Sequence, residues 1–354
     1  MIPASPNSST RKARATSVKG KPSAGVRVPA RVVAFGGGTG LSSLLRGLKK
    51  YVARRRGQPA RMPIADLAAV VTVTDDGGSS GRLRRDYHVL PPGDIRNCLV
   101  ALSADEALLG RLFQYRFPRG PGLGGHSFGN LFLTALTGVT GDFAEAVRVS
   151  SEVLAIRGRI FPSTTDPVGL EGELENGLRI LGETRISRSK RRIRRVRLRP
   201  RRVRPLPEVL DAIGRADLIL IGPGSLYTSV IPSLLVDGIA DAVRRSQALR
   251  VYIGNLMTQP GETTGYSSAD HVKALIEHFG PGMIDWVVLN RGKPSSRLSR
   301  RYGAQGAGPV ETDIARIEAL GYRALVADVM EESVVVRHHP DRLARLLVRR
   351  FLTP

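Results

Sequence analysis

The chain has 354 residues, a hydrophobic fraction of 42%, one cysteine and a formal net charge of +23. That length buries a large core, and that apolar content excludes wholesale disorder. No apolar run approaches the ~20 residues of a membrane span, and no secretory apolar stretch opens the chain. Cys98 alone forms neither an internal disulfide nor a cysteine-based metal site, so the expected setting is the cytoplasm.

The charge is concentrated. Residues 1–30 hold six Lys or Arg and no acid, residues 185–204 hold twelve and no acid, and residues 337–350 hold five Arg against Asp341. These stretches account for nearly all of the excess, leaving a nearly neutral body. A basic nucleic-acid cleft is therefore not expected, and 185–204 also lacks the aromatic residues that stack on bases.

Residues 1–30, rich in Ser, Pro, Lys and Arg, read as a disordered basic tail, and 31–354 as one α/β domain. Arg31–Phe35 is a short β-branched run, and Leu41–Tyr51 has helical apolar spacing. Asp66–Thr74 reads as a strand buried on both faces. From about Asp94 to Glu152 the pattern is helical, in pieces separated by glycine-rich breaks. Residues 158–206 read as a small β-rich section; within it Ile193, Val196 and Leu198 point inward on a strand, though not in clean alternation. Buried strands return at Asp217–Ile221, Arg250–Ile253 and Asp285–Leu289, with helix-like sequence at 227–246 and 269–279. Repeated strand–loop–helix units predict a Rossmann-like, doubly wound, mainly parallel sheet.

Ligands of such sheets sit outside the carboxyl ends of the strands, so the loops there are the candidates. Gly36-Gly37-Gly38-Thr39-Gly40 links a strand to a helix; its glycines permit close approach, and the helix start favours phosphate. It is neither a dinucleotide fingerprint in register nor a P-loop. Asp75 and Asp76, in a glycine- and serine-rich loop, suit Mg²⁺ or sugar hydroxyls, or form a solvated turn. Gly222-Pro223-Gly224-Ser225 repeats the logic of the first loop, so the two together suit a diphosphate. Asn255, Thr258 and Gln259 offer amides and a hydroxyl to a base or sugar. Asp94 reads as a helix N-cap or as a ligand contact beside Asn97. His126, in the segment that ends at Asn130, reads as a phosphate contact, an acid–base group or a structural histidine.

The ordered segments GGGTG, TVTDDGGSSGRLR, PPGDIRNCL, GHSFGNLFLTAL, GPGSLYTSVIPSLL and NLMTQPGETTGYSSADHV resemble the CofD-like family. They are most similar to its YvcK-type branch, the bacterial gluconeogenesis factors, from about Arg31 to Asn290. The resemblance implies a Rossmann-like fold with one composite ligand site, and cytoplasmic proteins that bind UDP-sugars such as UDP-N-acetylglucosamine. It further implies a need for them in cell shape and envelope synthesis on gluconeogenic carbon sources, with a homodimer as the family-level expectation. The transferase branch implies phospholactyl transfer to a deazaflavin with Mg²⁺. Carried over by motif, Gly37, Gly38, Thr39, Gly40 and Gly222–Ser225 would hold the diphosphate, and Asp94 and Asn97 would face the acceptor. Asp75 and Asp76 would share that cleft. His126 and Asn130 belong to the motif that favours the gluconeogenesis-factor branch. No cofactor is required by this reading, although Asp75, Asp76 and Asp94 are the candidate Mg²⁺ ligands. Catalysis stays open, with Asp76 and Asp94 as the candidate catalytic groups.

Overall fold

The computed structural model describes residues 28–53, 62–104, 108–118, 120–189 and 191–353. Most of the stretch read as a basic tail, residues 1–27, lies outside them.

The first strand, β1 (Ala30–Gly36), is buried from Val32 to Gly36, as its β-branched run requires. It feeds α1 (Gly38–Leu48), whose Leu41, Leu44, Leu45 and Leu48 form one buried stripe. Strand β2 (Ile64–Val71) pairs parallel with β1, so Thr72-Val73-Thr74, read as strand, continue past its end. The helical stretch then comprises α2 (Gly78–Tyr87), α3 (Gly93–Leu102), α4 (Leu108–Gln114), α5 (Phe128–Thr140) and α6 (Phe143–Val153).

The β-rich section divides in two. Strand β3 (Arg159–Pro162) joins the main sheet beside β2. Strands β4 (Gly169–Leu174) and β5 (Arg179–Leu181), a short helix α7 (Glu183–Ser187) and β6 (Ile193–Arg199) follow, with the three strands forming a separate antiparallel sheet. Ile193, Val196 and Leu198 do point inward. A register shift between Glu173 and Leu174 explains their broken alternation, since Glu173 pairs with Arg195 and Leu174 with Ile193. The outward arginines lie along an acidic neighbour: Arg194 and Arg197 reach Glu173, and Arg199 reaches Glu171 at 2.8 Å. Part of the arginine run is thus balanced by β4, as a solvated strand face would be.

The chain then crosses to the other side of β1. Strands β7 (Leu218–Ile221), β8 (Leu249–Ile253), β9 (Trp286–Asn290) and β10 (Arg323–Ala327) complete a seven-stranded, all-parallel sheet of order β10-β9-β8-β7-β1-β2-β3. Sequence 227–246, read as helix-like, is a π-helical turn (Leu226–Val230), a short helix (Ile231–Leu234) and, after a break, Ile239–Arg245. After β9 come a helix (Ser296–Gly303), a second (Ile314–Ala319), a hairpin of β11 (Met330–Glu332) and β12 (Val336–His338), and a helix (Pro340–Leu347) against α1. Among the described residues, no single helix is long and apolar enough to cross a membrane.

The strand order reverses between β1 and β7, and this is where such a sheet opens a crevice. Both glycine loops leave the sheet there, side by side.

Candidate functional site at the switch point

Two backbone hydrogen bonds extend the sheet just past the strands, from Gly222 N–H to Phe35 and from Thr72 N–H to Gly36. They place the loop after β7 directly against the start of α1. A methyl group on Gly40 would lie 2.5 Å from the Pro223 carbonyl oxygen, so the contact exists only because residue 40 is glycine. No side chain caps α1 at Gly37, and none caps the π-helical turn at Ser225. Two helical starts therefore face one space, with the Gly38 N–H turned to Asp94 and the Tyr227 and Thr228 N–H groups to Glu262, and the positive ends of the two helical turns favour an anion there.

That space is a cavity of about 560 Å³. Gly37, Gly38, Thr39 and Gly40 line it together with Pro223, Gly224 and Ser225, while Gly222 sits just behind with φ +79°. Asn255, Thr258 and Gln259 form a further wall. Gln259 Nε2 donates to Ser225 Oγ at 2.7 Å, tying that wall to the second glycine loop. Asn255 Oδ1 is buried with no hydrogen-bond partner, as is Glu262 Oε2, so the lining holds polar atoms that the protein itself leaves unsatisfied.

Asp94 is not the cap of α3. Pro92 holds the N-cap position with no side-chain bond, and the Asp94 carboxylate instead takes the Gly38 backbone N–H. Burial, and then the nearby Asp75 carboxylate, push its pKa up to about 7. Asp94 also borders a second, smaller pocket with Asp75, Asn97 and Asn130, so it divides the two spaces.

Besides Gly222, two candidates face neither pocket. Asp76 is turned toward α7, where it accepts from Thr184 N at 2.9 Å and Thr184 Oγ1 at 2.7 Å. His126 is buried, with Nδ1 2.9 Å from Ser79 Oγ; burial and then Arg82 hold its pKa below the ordinary value.

Sequence reading missed several lining residues. Glu183, half-buried, and Glu262, buried, enter the cavity, the first bonded by Thr74 Oγ1 and the second by Thr228 Oγ1 and Ser187 Oγ. Burial raises the pKa of both, against the hydrogen bonds from Thr74 to Glu183 and from Thr228 and Ser187 to Glu262, which favour the charged form. Glu262 lies in the segment already singled out, whereas Glu183 follows no glycine motif. The far wall comes from Tyr302, Gln305 and the hairpin residues Arg337 and His338. A small apolar cluster of Leu256, Met257, Leu298, Met330 and Val336 anchors it, and the Val336 N–H donates to the Tyr302 hydroxyl at 3.0 Å. Among the described residues, Arg337 is the one permanent cation in the lining.

A doubly wound parallel sheet with paired glycine loops over a polar cavity at its switch point defines a Rossmann-like α/β protein. The sequence matches the family described as 2-phospho-L-lactate transferase CofD over residues 32–330. It is 48% identical to the gluconeogenesis factor of Bacillus subtilis, over 90% of this chain and 97% of that protein. It is 46% identical to that of Halalkalibacterium halodurans, over 90% of this chain and 95% of that protein. A crystal structure of a UPF0052 family member from Bacillus halodurans superposes with a TM-score of 0.85 at 45% identity, covering 90% of this chain and 99% of that one. The chain belongs to the CofD family, and its relatives within it are gluconeogenesis factors.

Proposed function

We propose that the chain binds a UDP-sugar of the UDP-N-acetylglucosamine kind without turning it over, as a cytoplasmic, homodimeric factor. Through that ligand it serves cell shape and envelope synthesis during growth on gluconeogenic carbon sources. The observation that carries the reading is the meeting of two helical starts, each behind a glycine loop, over one cavity. A diphosphate held between them would meet Arg337 on the opposite wall, which supports the reading. Asn255 and Glu262 keep unsatisfied polar atoms for sugar or base groups. The cavity lies in the size range of small-ligand sites. Calorimetric titration with UDP-N-acetylglucosamine tests this: saturable heat with intact ligand recovered supports it, and no heat or thermal shift at millimolar ligand overturns it.

A second reading, a CofD-type transferase, draws on the approach of Asp75 to Asp94 beside the cradle. Mg²⁺ commonly takes one or two carboxylates and completes its shell with water and phosphate oxygens. Asp75 and Asp94 suit that role, whereas Asp76 is committed to Thr184, and among the described residues no group of three or more metal-ligating side chains converges. When bound, Mg²⁺ would neutralise charge on a diphosphate leaving group. Incubation with a deazaflavin acceptor, a phospholactyl nucleotide donor and Mg²⁺ separates the readings, since product forms only under the second.

A further inference from the structure

Across Asp94 from the cradle lies the second pocket, about 210 Å³, at the start of α2. We propose that it is an oxyanion subsite in its own right, which holds the phosphate group of a small metabolite independently of the ligand between the glycine loops.

Four observations converge on it. Helix α2 is ten residues long and begins at Gly78 with no side-chain cap, so its first N–H groups open into the pocket. Ser80 lines the pocket while only 3% exposed, and among the described residues none takes a hydrogen bond from its hydroxyl. Room for that hydroxyl depends on Gly93, where a methyl group would come within 2.5 Å of Ser80 Oγ. The fourth is Arg96, which feels the charges of Asp94 and Asp75 but forms no direct ion pair among the described residues. It donates to Ser127 Oγ at 2.5 Å, to Asn130 Oδ1 at 3.1 Å and to Asn97 Oδ1 at 2.7 Å, all neutral acceptors, and its buried Nε is unsatisfied.

The charge balance favours an anion. Asp75 and Asp94 border the pocket, as do Arg96 and Arg116. One oxygen of Asp75 is already taken by the Gly77 N–H at 2.8 Å. With two carboxylates set against two guanidinium groups, the helix start adds roughly half a positive charge. A hydroxyl, backbone N–H groups and a guanidinium around a space of this size match the donors that a phosphate takes.

The test is calorimetric titration of inorganic phosphate into the full chain in EDTA, with and without saturating UDP-N-acetylglucosamine. Arg96→Gln is the obvious variant, but it removes three structural hydrogen bonds and risks misfolding. Gly78 gives a cleaner probe: its φ is +47° and a Cβ there meets nothing within 4 Å. Asp and Asn both tolerate that backbone, so Gly78→Asp sets a fixed carboxylate at the helix start and Gly78→Asn is its neutral control. Phosphate is expected to bind wild type and Gly78→Asn at one site, with UDP-sugar present or absent. Gly78→Asp should weaken it roughly tenfold or more, and Ser80→Ala several-fold. Absence of saturable phosphate binding, equal binding by Gly78→Asp and Gly78→Asn, or full displacement by the UDP-sugar overturns the proposal. Failure of the UDP-sugar itself to bind counts against the cradle's proposed ligand, and the Asp/Asn comparison still decides this site.

Discussion

Gly37 gives the sharpest test of how the cradle is built. Its φ of −167° is extended, so alanine meets no backbone strain there. The obstacle is contact alone: the added methyl would lie 2.5 Å from Asp94 Oδ2 and 2.9 Å from Thr72 Cγ2. Overpacking of this kind costs about 1–3 kcal/mol, and Asp94 must yield because Thr72 is fixed in the core. Gly37→Ala is therefore expected to lower Tm by roughly 2–6 °C and to weaken UDP-sugar binding as the carboxylate leaves the Gly38 N–H. The double variant Gly37→Ala/Asp94→Ala removes the worse clash. Denaturant unfolding of the four proteins of the cycle should then give a favourable coupling of about 0.5–3 kcal/mol. Additive losses, or a Gly37→Ala protein as stable as wild type, would refute the packing argument.

Four further outcomes follow from the same geometry. Asp94 has its folded pKa raised from 3.8 to about 7, so its protonated form is the stabilised one; relative to Asp94→Asn, wild type should lose stability as pH rises from about 4 to about 7, on the order of 2–4 kcal/mol in urea melts. Arg337→Ala removes an exposed side chain, so Tm should hold while UDP-sugar affinity falls roughly tenfold or more in calorimetry. Asp76→Ala unpairs Thr184 and should cost about 1–2 kcal/mol of unfolding free energy, acting on stability rather than on affinity. Glu173→Gln releases Arg194 and Arg197 and should cost about 0.5–1 kcal/mol in low-salt chemical denaturation, a loss that shrinks in 1 M salt.

The parallel sheet was legible because its central strands are buried on both faces and read as unbroken apolar runs, as in Leu218–Ile221. The glycine loops were legible for the same local reason, since few other residues permit such close approach. What escaped was set by distance in the chain. Asp94 looked like a cap because sequence shows a helix start but not the Gly38 N–H that comes to meet it across the switch point. Asp75 and Asp76 look equivalent as neighbours, and only the position of α7 turns one of them away. Glu183, Tyr302 and Arg337 reach the cavity on elements with no motif of their own. Strand β10 escaped as well, being short and only half-buried along most of its length. Within the arginine run only Ile193–Arg199 forms a strand, and its acidic partners on β4 appear only once the register is known.

The central claim is that the two glycine loops form one diphosphate cradle at the β1/β7 switch point. A crystal structure with UDP-N-acetylglucosamine tests it most directly. The diphosphate is expected between Gly37–Gly40 and Pro223–Ser225, with Arg337 turned toward it. A ligand bound elsewhere, with those loops in contact only with each other, would contradict it.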